Sequence, residues 1–366
     1  MTPVDLTYTD TEDALRDSVR ALLAAHCPPA RVSMICDGDA SLATELWQIV
    51  TSAMDLPGLG VADALGGGGA AAREVAVVME ELGRVIAPIP FLTSAVIATK
   101  VLASCGADAL LGSLVDGSRV AVLCAPWTGA SGSELNVSIV ASSASVEGSV
   151  RSVADAQLAS ILLVPATRDD ILTLQAVEVN ATGVNVTARQ CLDMTRRACD
   201  IDLTGASAVE LARGQAASDA IQAGIQHGAA MLASEQLGVA QWCLEETVAY
   251  VKQRHQFGRP IGSFQAIKHR LARLWIAVES ARAAARNAAV LVDAGGPEAA
   301  TSVAIAQSFC SDVAVLAAEE CVQLHGGIGM TWEHSAHLYL KRAKANQVAL
   351  GTPAQHRSAL AQLHGL

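Results

Sequence analysis

Residues 250–272 read Y-V-K-Q-R-H-Q-F-G-R-P-I-G-S-F-Q-A-I-K-H-R-L-A and join two segments of helical periodicity. The second helix is predicted to start after Ser263, which is a plausible N-cap. Between the helices, Arg254 carries a planar, permanent cation suited to a pyrophosphate. Phe257 offers an aromatic surface beside Gly258, where a backbone can approach a ligand closely. Taken alone, Arg254 is more typical of a surface salt bridge, so this stretch needs a second signal.

A glycine-rich turn farther along the chain supplies that signal. Residues 323–333 read Q-L-H-G-G-I-G-M-T-W-E and lie between two predicted helices. Gln323, Gly326 and Gly327 expose polar and backbone N–H groups at a turn, as contacts to phosphate or ribose require. A glycine cluster alone is more typical of a plain interhelical turn. Its occurrence together with Arg254 and Gln265 favours a dinucleotide site.

Around these stretches the chain divides into three zones. Residues 1–125 are predicted to be helical, with helices over 11–25, 45–53 and 73–85. Residues 126–205 show short β-like runs, which predict a compact antiparallel β domain. These runs cover 136–141, 158–164, 171–179 and 184–188. Residues 206–366 return to long helices with short breaks, which predict a four-helix bundle. The predicted third and fourth helices of this bundle cover residues 301–324 and 333–350.

The composition excludes several classes of protein. Of the 366 residues, 51% are hydrophobic and 17% charged, which rules out a disordered chain. A net charge of −11 disfavours a nucleic-acid binder, because such a protein needs a basic face. The longest charge-free stretches have 15 residues, shorter than the ~20 of a membrane-spanning helix. The N-terminus lacks a secretory signal pattern, so a cytoplasmic protein without a membrane span is expected.

The cysteines and histidines give no metal or disulfide pattern. Nine cysteines are scattered without a C-x-x-C pair, and nine histidines lack a metal-ligand spacing. Reduced, buried thiols and no bound metal are therefore expected.

The two stretches above resemble those of the acyl-CoA dehydrogenase family. A third stretch, V-M-E-E-L-G-R-V-I-A-P-I-P at residues 78–90, resembles the N-terminal domain of that family. The resemblance covers nearly the whole chain. It implies a mainly α protein with an N-terminal helical domain (1–125), a middle antiparallel β domain (126–205) and a C-terminal four-helix bundle (206–366). It also implies FAD bound at a subunit interface.

The resemblance assigns one half of a flavin site to this chain. In such enzymes, the R-x-Q-F-G segment and the Q-x-x-G-G turn contact the flavin held mainly by the neighbouring subunit. The matching positions are Arg254, Gln256, Phe257, Gln265, Gln323, Gly326 and Gly327. The residues with which a subunit of this family contacts its own flavin are mostly missing from this sequence. Ser131 or Ser133 is a possible phosphate contact, but residues 148–156 lack the Trp and Thr of the family's Trp-Ile-Thr segment.

The catalytic positions of the family hold no acid in this sequence. The reaction removes the α-proton of an acyl-CoA while the β-hydrogen leaves as hydride, and it needs a carboxylate base. The two positions where the family places Glu correspond to Leu350 and Gly228. Glu235, two turns after Gly228, is a candidate displaced base. A buried hydrogen-bonding or interface glutamate is the favoured interpretation of Glu235, and no residue is assigned as catalytic.

The chain has the residues that contact a neighbour's flavin, and it lacks the family's own-flavin contacts and catalytic acid. This combination predicts the β-type subunit of an α2β2 heterotetramer. Such a subunit completes the FAD site in trans, while a second acyl-CoA dehydrogenase-like subunit carries the base. The resemblance implies an acyl-CoA substrate from fatty acid or steroid catabolism and an electron-transfer flavoprotein as the acceptor. Three alternatives stay open: a homotetramer with an unrecognised base, a flavin oxidase or monooxygenase, and a flavin-less structural chain.

Overall fold

The N-terminal part of the protein is helical. The computed structural model describes residues 5–130, 132, 135 and 137–365. A capping box between Thr9 and Glu12 starts the first helix, and the Asp39 side chain caps the third. The helices are α1 (Asp10–His26), α2 (Pro29–Cys36), α3 (Ala40–Met54), α4 (Ala72–Arg84), α5 (Thr99–Ser104) and α6 (Asp108–Val115), with a π-helical segment Phe91–Ala98 before α5. The three helices predicted here correspond to α1, α3 and α4, and α3 starts earlier than predicted because of its cap.

The middle part forms one sheet of eight strands. They are β1 (Ala121–Leu123), β2 (Ile139–Ala141), β3 (Ser145–Ala154), β4 (Ile161–Arg168), β5 (Ile171–Glu178), β6 (Val184–Ala188), β7 (Ala198–Ser207) and β8 (Val209–Arg213). The order is β6-β7-β3-β2-β4-β5-β8, with β1 paired to β4. The prediction of an antiparallel domain was wrong in part, because β1 and β2 both pair with β4 in parallel. The side-chain pattern of one strand does not report the direction of its neighbour.

Two of the longest strands, β3 and β7, were not predicted from the sequence. They pair over ten-residue spans with register shifts between Val146 and Gly148 and between Val150 and Val153. β3 contains three serines and a glycine, residues of low strand propensity, so pairing with its neighbours decides its conformation. A strand was predicted over 158–164. In the structure a 3₁₀ turn, Ala156–Leu158, ends at the first residue of that run, and the strand starts only at Ile161.

The C-terminal part is a helical bundle around a central helix. Its helices are α7 (Gln215–Gln253), α8 (Gln265–Leu291), α9 (Gly296–His325), α10 (Ala336–Val348) and α11 (Pro353–Leu363), and a two-stranded hairpin, β9 (His255–Gln256) with β10 (Arg259–Pro260), joins α7 to α8. Helix α9 packs against the other four. Ser263 is not the N-cap of α8, which begins two residues later without a side-chain cap. Helix α11 was not predicted, and positive φ angles at Leu350 and Gly351 separate it from α10.

One helix of the bundle has the length and composition of a membrane span. Among the described residues, only the stretch from Gly296 to Met330 meets these criteria, and 67% of its apolar window is buried inside the protein. Asp312 interrupts this run, which is why charge-free stretches in the sequence did not reveal it. Its burial identifies it as a core helix of the bundle.

Glycines allow α4 and α7 to cross in close contact. A Cβ atom added at Gly238 would lie 2.0 Å from the carbonyl oxygen of Glu80, and one at Gly83 would lie 2.2 Å from that of Glu235. No side chain fits at such distances, so the two backbones touch directly. The crossing joins the N-terminal helices and the bundle into one hydrophobic core, while a second cluster fills one side of the sheet.

Replacing Gly238 with Ala should therefore destabilise the protein by about 3 kcal/mol or more, because the backbones must separate. Gly112 in α6 is the matched control, since the atom nearest to an added Cβ there is 4.0 Å away. Gly112→Ala should raise stability by about 0.4–1 kcal/mol. Urea unfolding of both variants measures the difference, and a Gly238→Ala variant as stable as Gly112→Ala would contradict the assigned crossing.

Candidate functional site

The Arg254 stretch forms an exposed hairpin at the end of α7. Its two-residue turn consists of Phe257 and Gly258, with φ angles of +54° and +76°. Positive φ at both turn positions is typical of a type I′ hairpin, a geometry that favours glycine. The Phe257 ring is 90% exposed and packs edge-on against Phe264, with 6.1 Å between the ring centroids. The Arg259 guanidinium lies 4.0 Å from the centre of the same Phe264 ring. Phe264 thus packs against both the turn and the second strand of the hairpin.

The glycine-rich turn lies at the same end of the bundle. Helix α9 ends at His325, and Gly326–Met330 form a 3₁₀ turn in which nothing lies within 4 Å of a Cβ added at Gly326 or Gly327. Tyr250 joins this turn to the end of α7. Its ring stacks on His325 at a centroid distance of 4.2 Å, and its hydroxyl donates to the His325 carbonyl at 3.4 Å. The two stretches that the sequence singled out are therefore brought together.

The side chains around these two turns have unused hydrogen-bonding groups. Within the described part of the chain, Arg254, Gln256, Gln265 and Gln323 are exposed, and their side chains make no hydrogen bond or ion pair. A free guanidinium, three free amides and an open glycine backbone are chemically suited to phosphate and ribose oxygens. These residues fit a dinucleotide such as FAD.

The two positions without a catalytic acid are adjacent in space. A Cβ added at Gly228 would lie 3.2 Å from Leu350 Cδ1 and 2.6 Å from Ile97 Cγ1. Leu350 is buried, and its N–H donates to the Trp127 carbonyl at 2.8 Å. The cavity between these side chains measures about 30 Å³, which is room for about one or two water molecules. Ile97 and Leu350 thus fill most of the space beside Gly228.

Ile97 and Trp127 were missed by the sequence reasoning. Ile97 belongs to the π-helical segment, whose wider turn is not visible as a residue pattern. Trp127 stands in a loop stretch without a motif of its own. Its ring lies 5.6 Å from the Arg196 guanidinium, and it lines the small cavity beside Leu350. Ser131 and Ser133, the possible phosphate contacts, lie outside the described residues.

Glu235 is held by two arginines and an asparagine. Arg196 Nη2 and Arg342 Nη1 lie 2.7 and 2.8 Å from its carboxylate oxygens, and Asn346 Nδ2 donates to it at 2.8 Å. Burial alone would raise the pKa of Glu235, but the two guanidinium groups outweigh burial and lower it to about 2. A carboxylate with so low a pKa is a weak base. These contacts favour the structural interpretation of Glu235.

A second buried carboxyl, Asp155, lies next to the small cavity. Burial raises the pKa of Asp155 to about 6, although Arg196 opposes the shift. Thr93 Oγ1 donates to Asp155 Oδ2 at 2.8 Å, and Thr93 also lines the cavity beside Leu350. The sequence reasoning passed over Asp155 because its spacing from the other site residues is uninformative.

A larger groove opens on the far side of Leu350. Its volume is about 690 Å³, a size typical of small-molecule pockets. Helices α7, α9 and α11 form its walls through Gln226, Val303 and His356. His356 Nε2 lies 3.0 Å from the Leu350 carbonyl oxygen and links the groove to the small cavity.

Comparison with known proteins places this geometry in a family. Residues 9–112 match the acyl-CoA dehydrogenase N-terminal domain, and residues 218–363 match the acyl-CoA dehydrogenase C-terminal domain. The chain is 32% identical to the acyl-CoA dehydrogenase IpdE2 of Mycolicibacterium smegmatis, over 94% of this chain and 96% of that protein.

Two solved structures have closely similar folds. One is the ChsE4–ChsE5 complex from Mycobacterium tuberculosis, with a TM-score of 0.87, 27% identity and 99% coverage of both chains. The other is a single-residue variant of the Tcur3481–Tcur3483 steroid ACAD, with a TM-score of 0.86 and 26% identity, covering 97% of this chain and 98% of that one.

The low pKa of Glu235 predicts how its contribution to stability depends on pH. Because the folded pKa of about 2 lies below the ordinary value of 4.5, the carboxylate stabilises the fold above pH 4.5. This contribution is lost as the pH falls from 4.5 towards 2. Glu235→Gln should lower the free energy of unfolding by about 3–5 kcal/mol at pH 7, because two buried arginines lose their partner.

Urea unfolding of wild type and Glu235→Gln at pH 7 and at pH 4 tests this expectation. The difference in free energy of unfolding between the two proteins should be smaller at pH 4 than at pH 7. Glu178→Gln, which breaks an exposed pair with Arg119, should cost less than about 1 kcal/mol. A gap between wild type and Glu235→Gln that does not change with pH would contradict the assigned ionisation.

Proposed function

The chain belongs to the FAD-dependent acyl-CoA dehydrogenase family, and from this premise we propose that it is the non-catalytic subunit of a heteromeric acyl-CoA dehydrogenase. In this proposal two copies assemble with two copies of a related subunit that carries the catalytic base. The chain contributes the second half of each FAD site across the unlike interface.

The length of α7 is the observation that carries the proposal. Gly228, beside Leu350, lies about 25 residues before the helix ends at Gln253, which is about 38 Å along the axis. The Arg254 hairpin lies beyond that end. Because the two positions lie so far apart along one helix, the proposal assigns the hairpin and the Leu350 position to different flavins. A chain that keeps the hairpin residues and lacks the base is suited to complete a neighbour's site.

The filled space around Leu350 supports the loss of catalysis in this chain. Neither Leu350 nor Gly228 can accept a proton, and the adjacent cavity of about 30 Å³ is too small for an acyl thioester. Ile97, which lies beside Gly228, supports the same proposal because it narrows the space next to that position.

Apolar surface on the bundle supports assembly with a partner. Several large apolar side chains of α8, α9 and the segment after the glycine-rich turn are 40% exposed or more: Trp275, Ile276, Ile305, Phe309, Leu316, Met330 and Trp332. Exposed large apolar and aromatic side chains are enriched at protein interfaces. The similar ChsE4–ChsE5 structure is itself a complex of two proteins.

The chain's own residues have defined roles in this proposal. The Arg254 guanidinium would pair with the pyrophosphate, the amides of Gln256, Gln265 and Gln323 would bond to polar groups of the cofactor, and the Phe257 ring would pack on it. The Gly326–Gly327 backbone lets the cofactor approach closely. When bound, FAD accepts the hydride from the acyl-CoA. An electron-transfer flavoprotein would be the electron acceptor, and the similarity to a steroid ACAD favours a bulky, steroid-derived acyl group.

One observation favours a self-sufficient homotetramer as the second candidate. Asp155 is a carboxyl with a pKa of about 6 beside the small cavity, and a general base needs a pKa near the working pH. This alternative requires the cavity to open by movement of Ile97 or Leu350. A self-sufficient chain would bind FAD and desaturate an acyl-CoA alone, which the next experiment tests.

Purification of the chain alone and with a co-expressed catalytic partner tests the proposal. The lone chain should retain little FAD, because only half of the site is present, and it should have no dehydrogenase activity. The co-expressed complex should elute as a heterotetramer with bound flavin and activity. Stable flavin and full activity in the lone chain would contradict the proposal, and a colourless complex would favour a structural role without flavin.

Arg254→Gln in the complex should weaken FAD binding about 10-fold or more, because a charge-assisted contact to the pyrophosphate is lost. Assembly, read by size-exclusion chromatography, should not change. Arg119→Gln is the control, since Arg119 pairs with Glu178 at the surface and lies outside every segment assigned to the flavin. Equal flavin affinity in the Arg254→Gln and Arg119→Gln complexes would exclude a flavin contact at Arg254.

A further inference from the structure

Three side chains that are distant in sequence meet beside the glycine-rich turn. Glu246 lies on α7, His325 ends α9, and His334 precedes α10. One donor atom from each lies within 4.8 Å of the other two. We propose that Glu246, His325 and His334 bind a Zn²⁺ ion, which ties the Gly326–Met330 turn to α7. The sequence shows no metal-ligand spacing because the three residues come from three separate elements.

The His325 ring is already oriented as a metal ligand would be. Its Nδ1 lies 2.7 Å from the Cys321 carbonyl oxygen, so Nδ1–H donates there and Nε2 keeps a free lone pair. The residue is 3% exposed, and among the described residues Nε2 has no hydrogen-bond partner. A buried nitrogen without a partner is costly. Metal-binding histidines commonly donate their other N–H to a backbone carbonyl in this way.

Glu246 and His334 complete the donor set, and their partial exposure lets an ion reach the site from solvent. His334 Nε2 lies 3.4 Å from Glu246 Oε1, and the side chains of His334 and Glu246 are 19% and 39% exposed, respectively. His334 Nδ1 now accepts the Ala336 N–H at 3.2 Å. On metal binding the ring proton moves from Nε2 to Nδ1, and the Ala336 bond breaks. That N–H belongs to the first residue of α10, where a helix has no internal partner for it.

The donor set selects the class of ion. Two imidazole nitrogens and one carboxylate are a ligand set that Zn²⁺ uses, with a water in the fourth position. Mg²⁺ and Ca²⁺ prefer sites made only of oxygen atoms. Zinc bonds are about 2.0–2.2 Å long, so the three side chains must move closer together. Glu246 and His334 are partly exposed and have room to do so.

The site would restrain a functional turn. His325 and His334 flank the Gly326–Met330 turn on both sides, and Glu246 anchors them to α7. The zinc site itself rests on this geometry alone. Its role in holding the turn against a flavin rests on the proposed function. Zinc binding without flavin in the heteromeric complex would refute only the proposed function.

Calorimetric titration of the chelator-treated full chain with Zn²⁺ tests the site. We expect saturable binding of one ion per chain, and no binding of Mg²⁺. Glu246→Gln and His334→Asn should each weaken Zn²⁺ binding about 10-fold or more. His337→Ala is the matched control, because this histidine packs on Trp332 outside the cluster, and it should leave the affinity unchanged. Absence of saturable binding, or unchanged affinity in the two ligand variants, would overturn the proposal.

Cobalt substitution separates this site from the nine cysteines. Co²⁺ bound by nitrogen and oxygen ligands should show visible d–d bands without thiolate-to-cobalt charge transfer in the near ultraviolet. Charge-transfer bands that persist in Glu246→Gln would place the metal on cysteine and overturn the assignment. Circular dichroism of each variant confirms that a loss of binding does not reflect unfolding.

Discussion

The buried carboxylate of Glu235 joins the three parts of the chain. It lies on α7, and its partners come from the β domain, through Arg196, and from α10, through Arg342 and Asn346. Arg342 also pairs with Asp193 at 2.7 Å, which adds a second link to the β domain. Gly83 of the N-terminal helix α4 packs against the backbone of the same glutamate. Because buried charges without partners are costly, these groups fix how the parts are oriented.

The contacts of Glu235 also extend to the Leu350 position. Arg196, held by Glu235, lies near the Trp127 ring, and the Trp127 carbonyl accepts from the Leu350 N–H. Leu350 has a left-handed backbone conformation with φ of +52°, and its side chain lines the small cavity together with Ile97. Burial of a leucine side chain contributes about 1.5–3 kcal/mol. A leucine at this buried position therefore packs favourably, where an unpaired carboxylate would be costly.

The sequence predicted local features well and remote contacts poorly. The long helices of the bundle follow from apolar periodicity, whereas the hairpin around Phe257 and Gly258 was not predicted, although Gly258 was singled out as a site of close approach. The parallel pairings of β4, the strands β3 and β7, and the filling of the Gly228 site by Ile97 depend on segments far apart in the chain. The meeting of Glu246, His325 and His334 was not visible for the same reason. Glu235 was weighed as a base, but its ion pairs appear only when Arg196 and Arg342 are placed around it.

Anaerobic addition of acyl-CoA to the lone chain, reconstituted with excess FAD, tests most directly whether this chain has its own base. Steroid-derived and straight-chain acyl-CoAs should be used, with the flavin absorption followed over time. If this chain has no base of its own, the lone chain causes no bleaching, and rapid bleaching follows once the catalytic partner is present. Bleaching by the lone chain that disappears in Asp155→Asn would show that the chain is self-sufficient and identify Asp155 as the base.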